Sequence, residues 1–281
     1  MRLVACLLGL ILARPAAADG ATDPGGALGS TSTRLMGVVT VFAGYAGTSM
    51  GKVRAAFDDS YGASVRAARD AGGSGTASIR TPGFFQWGAE AGIGATENPA
   101  GFLVRFVSYA PATLTAKMEY QLGVFSVHEE TNVDLSLVAG LVGPWVNIRA
   151  GGFNIRGTAL AGLARLTGTW KIAGASTFDF SPFGIFTSTW GGDIPVEGTD
   201  MTWEVDLEVT REVARNVEAF AGLGYGGASI GTVKVSSNRD LDGDGIAEYP
   251  AGMVMIRDAE GRPVPFELGG IRARAGLLFR L

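Results

Sequence analysis

The chain has 281 residues, of which 47% are hydrophobic, 18% charged and 43 glycine, with a net charge of −4, one cysteine and one histidine. An acidic balance excludes the basic footprint that nucleic-acid binding needs, so no nucleic-acid partner is expected. The chain is too apolar for disorder and too rich in glycine for a helical protein.

It opens MRLVACLLGLILARPAAADG, with one charge at Arg2, an apolar run from Leu3 to Ala13, and Ala16-Ala17-Ala18 before Asp19. This layout predicts a signal peptide over residues 1–18, cleaved after Ala18, because so short an apolar run cannot cross a bilayer as a helix. Cys6 leaves with it, so no thiol or disulfide chemistry is expected of the mature chain, and loss of Arg2 and Arg14 takes the net charge from −4 to −6. No later stretch offers eighteen uninterrupted apolar residues, so no spanning helix is expected. A Gly/Ser/Thr-rich leader occupies 19–33, and the remainder, 34–281, reads as one domain of alternating strands.

In chain order the expected strands are 35–47, 84–95, 102–110, 113–127, 132–143, 157–172, 177–190, 202–212, 217–230 and 268–281. Between the first two, within a long loop, 48–83, Met50 to Asp70 reads either as a short helix capping or plugging the mouth or, as is more usual for such charge patterns, as a solvated surface segment. TLTAKMEYQLGVF (113–125) sends Leu114, Ala116, Met118, Tyr120, Leu122 and Val124 one way and Thr115, Lys117, Glu119, Gln121 and Gly123 the other. The next stretch, HEETN, reads as a turn and holds the only histidine, His128. The segment 144–156 reads equally as loop or strand. ARLTGTWKI (164–172) and TWEVDLEVT (202–210) repeat the period of two, with no helical period fitting either. The predicted fold class is therefore all-β, an antiparallel up-and-down transmembrane barrel of about ten strands, with eight or twelve as alternatives.

A half-buried soluble sheet alternates in the same way. What favours the barrel is Lys, Glu, Arg and Gln at mid-strand on the polar faces, and smooth mixtures of Ala, Leu, Val and Met, with aromatics towards strand ends, on the apolar ones. The chain ends RARAGLLFRL, alternating to its last residue. Arg274-x-Gly276-x-x-Phe279-x-Leu281 resembles the terminal strand signal of bacterial outer-membrane β-barrel proteins, although members most often end on an aromatic where this chain has Leu281. The resemblance implies residence in the bacterial outer membrane among its lipids. It also implies recognition by the barrel-assembly machinery, closure of the last strand on the first, and a periplasmic C-terminus. Counting back, the connection Glu212 to Asn216 and the turn at His128 become periplasmic, and 48–83, 191–201 and 231–267 become outer loops.

Two sets of residues carry chemistry. Glu204, Asp206 and Glu208 are expected to face the lumen, where Arg272, Arg274 and Arg280 reach them across a strand whose Gly222, Gly224 and Gly226 leave room; Glu218 lies level with Arg280. The set reads either as a salt-bridged interior of a closed barrel or as the charged constriction of a narrow porin-like channel. In the last long loop, Asp240, Asp242, Asp244 and Glu248, with the Ile246 carbonyl, have the spacing that wraps oxygens around a hard cation. This resembles the DxDxDGxxD/E loops of calcium-binding repeats and predicts Ca²⁺ at extracellular concentrations. Catalysis has little support: His128 has Ser126 two residues away but neither a supporting acid nor an oxyanion site in its spacing, so no enzyme is expected. The sequence names no extracellular ligand.

Overall fold

A computed structural model describes residues 35–95, 100–242, 244–258 and 260–281. The predicted signal peptide and leader lie outside the described residues, as does Gly243. The elements are β1 (Leu35–Ala46), α1 (Gly51–Asp70), β2 (Ser74–Arg80), β3 (Phe84–Ala95), β4 (Ala100–Leu122), β5 (Phe125–Ala150), β6 (Phe153–Asp179), β7 (Ile185–Ala214), β8 (Val217–Ile230), β9 (Lys234–Val235) and β10 (Phe266–Arg280).

All pairings are antiparallel, and the ring runs β1–β3–β4–β5–β6–β7–β8–β10 and back to β1. Eight strands thus close the barrel, the lower of the alternatives, while β2 and β9 add to the margins of β4 and β7 and bring the sheet to ten. Closure leaves no edge at the level of the ring, the condition for satisfying backbone groups in lipid.

The strand boundaries differ from the expected ones in an instructive way. The expected break at 111–112 is a β-bulge inside one strand, at Tyr109/Ala112 opposite Leu137 and Leu135. Pro111 cannot donate to a ladder, and the extra residue moves the inward positions of β4 from odd numbers (Leu103, Arg105, Val107, Tyr109) to even ones (Leu114, Ala116, Met118). The ambiguous stretch 144–156 is the end of β5, a turn and the start of β6. At Gly143 and Pro144 pairing with β6 lapses while pairing with β4 continues. The expected outer loop 191–201 lies wholly within β7, paired residue by residue with β6. HEETN is no turn either: the chain reverses at Gly123 (φ 59°), and His128 sits inside β5. With the C-terminal end of β10 taken as periplasmic, that places His128 at the opposite, outer end.

These corrections leave four strands, β4 to β7, of 23, 26, 27 and 30 residues, against 12 to 15 for β1, β3, β8 and β10. A tilted membrane strand needs only about 9–11 residues. The four long strands therefore continue past the ring as an extension, on whose concave face α1 is laid. The buried side chains of α1 are Val53, Phe57, Tyr61, Val65 and Ala68, one stripe of a helix. Phe57 stacks on Trp170 at 5.6 Å between ring centroids, and Leu114, Ala116, Val133, Leu166, Ile194 and Val196 surround it in one apolar core. Val233, Val235, Ile256 and Phe266 complete that core from the β8–β10 side. Tyr61 donates to Glu129 at 2.6 Å and shares a 2.8 Å contact with Thr131, and its burial beside that carboxylate pushes the phenol well above its ordinary pKa.

Candidate functional site

At the level of the ring the outward positions are apolar. Val41, Tyr45, Phe85, Trp87, Ile93, Phe102, Val104, Val205, Leu207, Leu223, Tyr225 and Ile271 are all exposed large side chains. Along β3 the band runs from Phe85 to Ile93, which is nine residues. Tyr45, Phe85, Trp87, Trp203 and Tyr225 gather at the end nearest the extension. Such an apolar belt with an aromatic rim suits lipid and is costly in water.

Inside the ring lies a charge network that the sequence foreshadows in part. Glu204, Asp206 and Glu208 on β7 and Arg272 and Arg274 on β10 all turn inward and are buried. They meet across β8: Arg272 pairs with Glu204, and Arg274 with Glu208 and, at 3.0 Å, with Asp206. Gly224 is what permits it, since a Cβ there would stand 2.0 Å from Asp206 Oδ1. Nearer the C-terminal end of β10, Arg280 pairs with Glu218, which also accepts from Thr210 at 2.6 Å.

The centre of the network is formed by three residues that sequence reasoning missed. Arg105 of β4 is fully buried and donates to Glu90 of β3 (2.7 Å), Glu204 (2.6 Å) and Asp206 (2.6 Å). Arg156 of β6 bridges Glu208 (2.6 Å) and the other oxygen of Glu90 (2.8 Å). Each is a single charged residue in an otherwise apolar or neutral inward row, so no local pattern marks it; the one available signal is a charge among strand residues at an inward parity. Phe42 lies under both Arg105 (5.8 Å) and Arg274 (5.2 Å), and Tyr109 under Arg272 (5.7 Å). Four carboxylates and four guanidiniums are thus interleaved in one layer, with no excess of either sign. Removing one member leaves a buried charge without its partner.

The acidic loop is the second site. The carboxylates of Asp240, Asp242, Asp244 and Glu248 each offer an oxygen within 4.8 Å of the others, and all four residues are exposed. Oxygens on opposite sides of a Ca²⁺ ion, each at about 2.4 Å, stand about 4.8 Å apart, so the spacing fits a hard cation of that size. The loop holds its shape through its own amides: Gly245 N–H donates to Asp240 (2.8 Å), Leu241 N–H to Glu248 (2.7 Å), Asp244 N–H to Asp242 (3.1 Å) and Ile246 N–H to Asp244 (2.7 Å). An acidic surface turn is built from the same residue types.

His128 is exposed on the outward face of β5, 2.9 Å from Glu119 across the hairpin, with Ser126 on the same face. At the other end of the chain, Gly276, Phe279 and Leu281 lie where β10 meets β1: Gly276 opposite Phe42, Phe279 opposite Val39, and the Leu281 amide donating to the Gly37 carbonyl at 2.9 Å.

No protein-family model matches the chain, and no curated protein matches it in sequence. Among solved structures, an anion-selective porin from Comamonas acidovorans aligns at 8% identity over 89% of this chain and 99% of its own, with a TM-score of 0.19. A likeness that slight has no bearing on function.

Proposed function

We propose that this protein is a closed β-barrel of the bacterial outer membrane that works as an anchor, holding a β-sheet extension out from the bilayer for surface contacts rather than conducting solutes. The apolar belt and its aromatic rim support the membrane setting. The observation that carries the closed reading is the charge layer, in which Arg105 alone binds three carboxylates from two sides of the lumen. A narrow eight-stranded interior filled by side chains has no continuous water column. Refolded protein in planar bilayers should give no unit conductance steps, and regular steps at neutral pH would establish the channel instead.

Under the same reading β10 is the strand presented to the assembly machinery and closed on β1, and the chain has no catalytic role. The acidic loop takes one Ca²⁺, in the range of about 10⁻⁴ to 10⁻³ M typical of extracellular modules. Support for this is the convergence of four carboxylates within a single ion's reach. Calorimetry of the wild type against the double variant Asp242→Ala, Asp244→Ala tests it: calcium heats confined to the wild type are expected, and equal heats leave only an acidic turn.

A further inference from the structure

Above the apolar core, on the concave face of the extension, runs a groove of about 710 Å³. One wall is the margin of β7, Thr189 to Gly191, with Ile172 of β6 beneath it; the other is the acidic loop and the segment after it, through Leu241, Asp242, Glu248, Tyr249 and Met253. Three features of this groove point to one kind of occupant. Among the described residues, Ile185 to Asp193 pair with β6 on one side and with no strand on the other, because β9 reaches only Val196 and Glu197. An unpaired strand margin presents alternate N–H and C=O groups to any extended chain laid beside it. The floor is apolar and aromatic. Trp190 lies across Gly174, Leu241 sits against Gly192, and Tyr249 and Met253 close the far side. The loop wall carries two carboxylates, Asp242 and Glu248, and among the described residues no Lys or Arg lines the groove. Such a wall attracts cationic side chains and repels anionic ones.

We infer that the groove between β7 and the acidic loop binds an extended peptide segment of another protein in which basic residues alternate with apolar ones. The segment adds as a strand to the margin of β7, sets its apolar side chains on Trp190, Tyr249 and Met253, and directs its basic ones to Asp242 and Glu248. This rests on the anchor reading above and names the class of partner that the extension holds. Calcium and the basic segment would draw on the same two carboxylates, so the site is tested under chelation, where the calcium reading plays no part.

The probe is a fluorescein-labelled octapeptide of alternating lysine and valine, titrated by anisotropy into full-length protein in detergent with EDTA at low salt. Three comparisons accompany it: the glutamate–valine octapeptide, the lysine–valine octapeptide with its alternate amides N-methylated, and the double variant Asp242→Asn, Glu248→Gln, whose folding is checked by heat-modifiable gel mobility. Saturable, salt-sensitive binding of the lysine peptide is expected, about tenfold weaker for the double variant. Loss of binding is expected for both altered peptides, and Trp190→Ala should weaken binding without removing its salt dependence. No binding of the lysine peptide, equal binding of the glutamate peptide, or an unchanged affinity after either N-methylation or the double substitution overturns the proposal. Conductance is a separate measurement: unit steps in a bilayer sink the anchor reading whatever the peptides do.

Discussion

From Glu204 to Glu208, β7 turns charge inward and Trp203, Val205 and Leu207 outward, while at Ile194 and Val196 the same inward face is apolar and buried. On β6 the contrast repeats. Arg156 lies in the lumen, whereas higher up Leu166 and Trp170 are buried and Arg165 and Lys171 form exposed ion pairs with Glu197 and Asp134. The parity of β6 and of β7 is the same in both regions; the surroundings are not. Around the ring the proposed medium is lipid, so outward positions are apolar and the interior can hold charge only by pairing it. Around the extension the medium is water, and the sheet buries fat under α1 as any globular domain does. A strand pattern thus fixes which residues share a face, and the medium decides which face is the inner one.

Breaking the ring's side of this contrast should have the largest effect. Arg105→Ala leaves Glu90, Glu204 and Asp206 facing one another across the lumen, and should cost about 4 kcal/mol. The measurement is the temperature at which the compact gel form converts to the unfolded one, followed in parallel by conductance. A conversion temperature equal to wild type would show that the layer is not a network. On the extension's side, Phe57→Ala empties the stack against Trp170 and should cost about 3 kcal/mol, with the loss confined to the region outside the membrane. Proteases should then cut within 51–70 while heat-modifiable mobility is retained. Loss of both together would mean that the two regions fold as one unit.

The outward faces sharpen the comparison further. Leu207→Arg places a cation in the apolar belt and should lower stability by about 2 kcal/mol, as charges on the lipid face do. Thr167→Arg, on the outward face of the extension, should change stability by less than about 0.5 kcal/mol. Equal penalties at the two sites would remove the membrane boundary drawn between them. The smallest effect is expected at Lys171→Met, which breaks an ion pair with Asp134 whose partners are 48% and 39% exposed. Such a pair contributes less than about 0.5 kcal/mol, a difference that denaturant titration of refolded protein should barely register.

The sequence by itself determined the local terms: period-two strands, the inward carboxylates of β7, the arginines of β10 with small residues between them, and the convergent acidic loop. Each is written in neighbouring residues, where spacing sets geometry. It also pointed to two faces in 113–125 and 164–172, but assigned their polar sides to a lumen. The structure puts Lys117 and Lys171 outside and Leu114 and Trp170 inside, because those stretches stand beyond the ring, a matter of height that no strand records about itself. Only the tertiary structure decided the number in the ring, since Pro111 and Pro144 interrupt pairing without ending a strand, and periodicity cannot tell a bulge from a turn. It alone joined Glu90, Arg105 and Arg156, one from each of three strands, to the carboxylates and arginines already legible on β7 and β10. Opposite charges far apart in the chain attract at contact range, and what sets that range is the closure of the barrel.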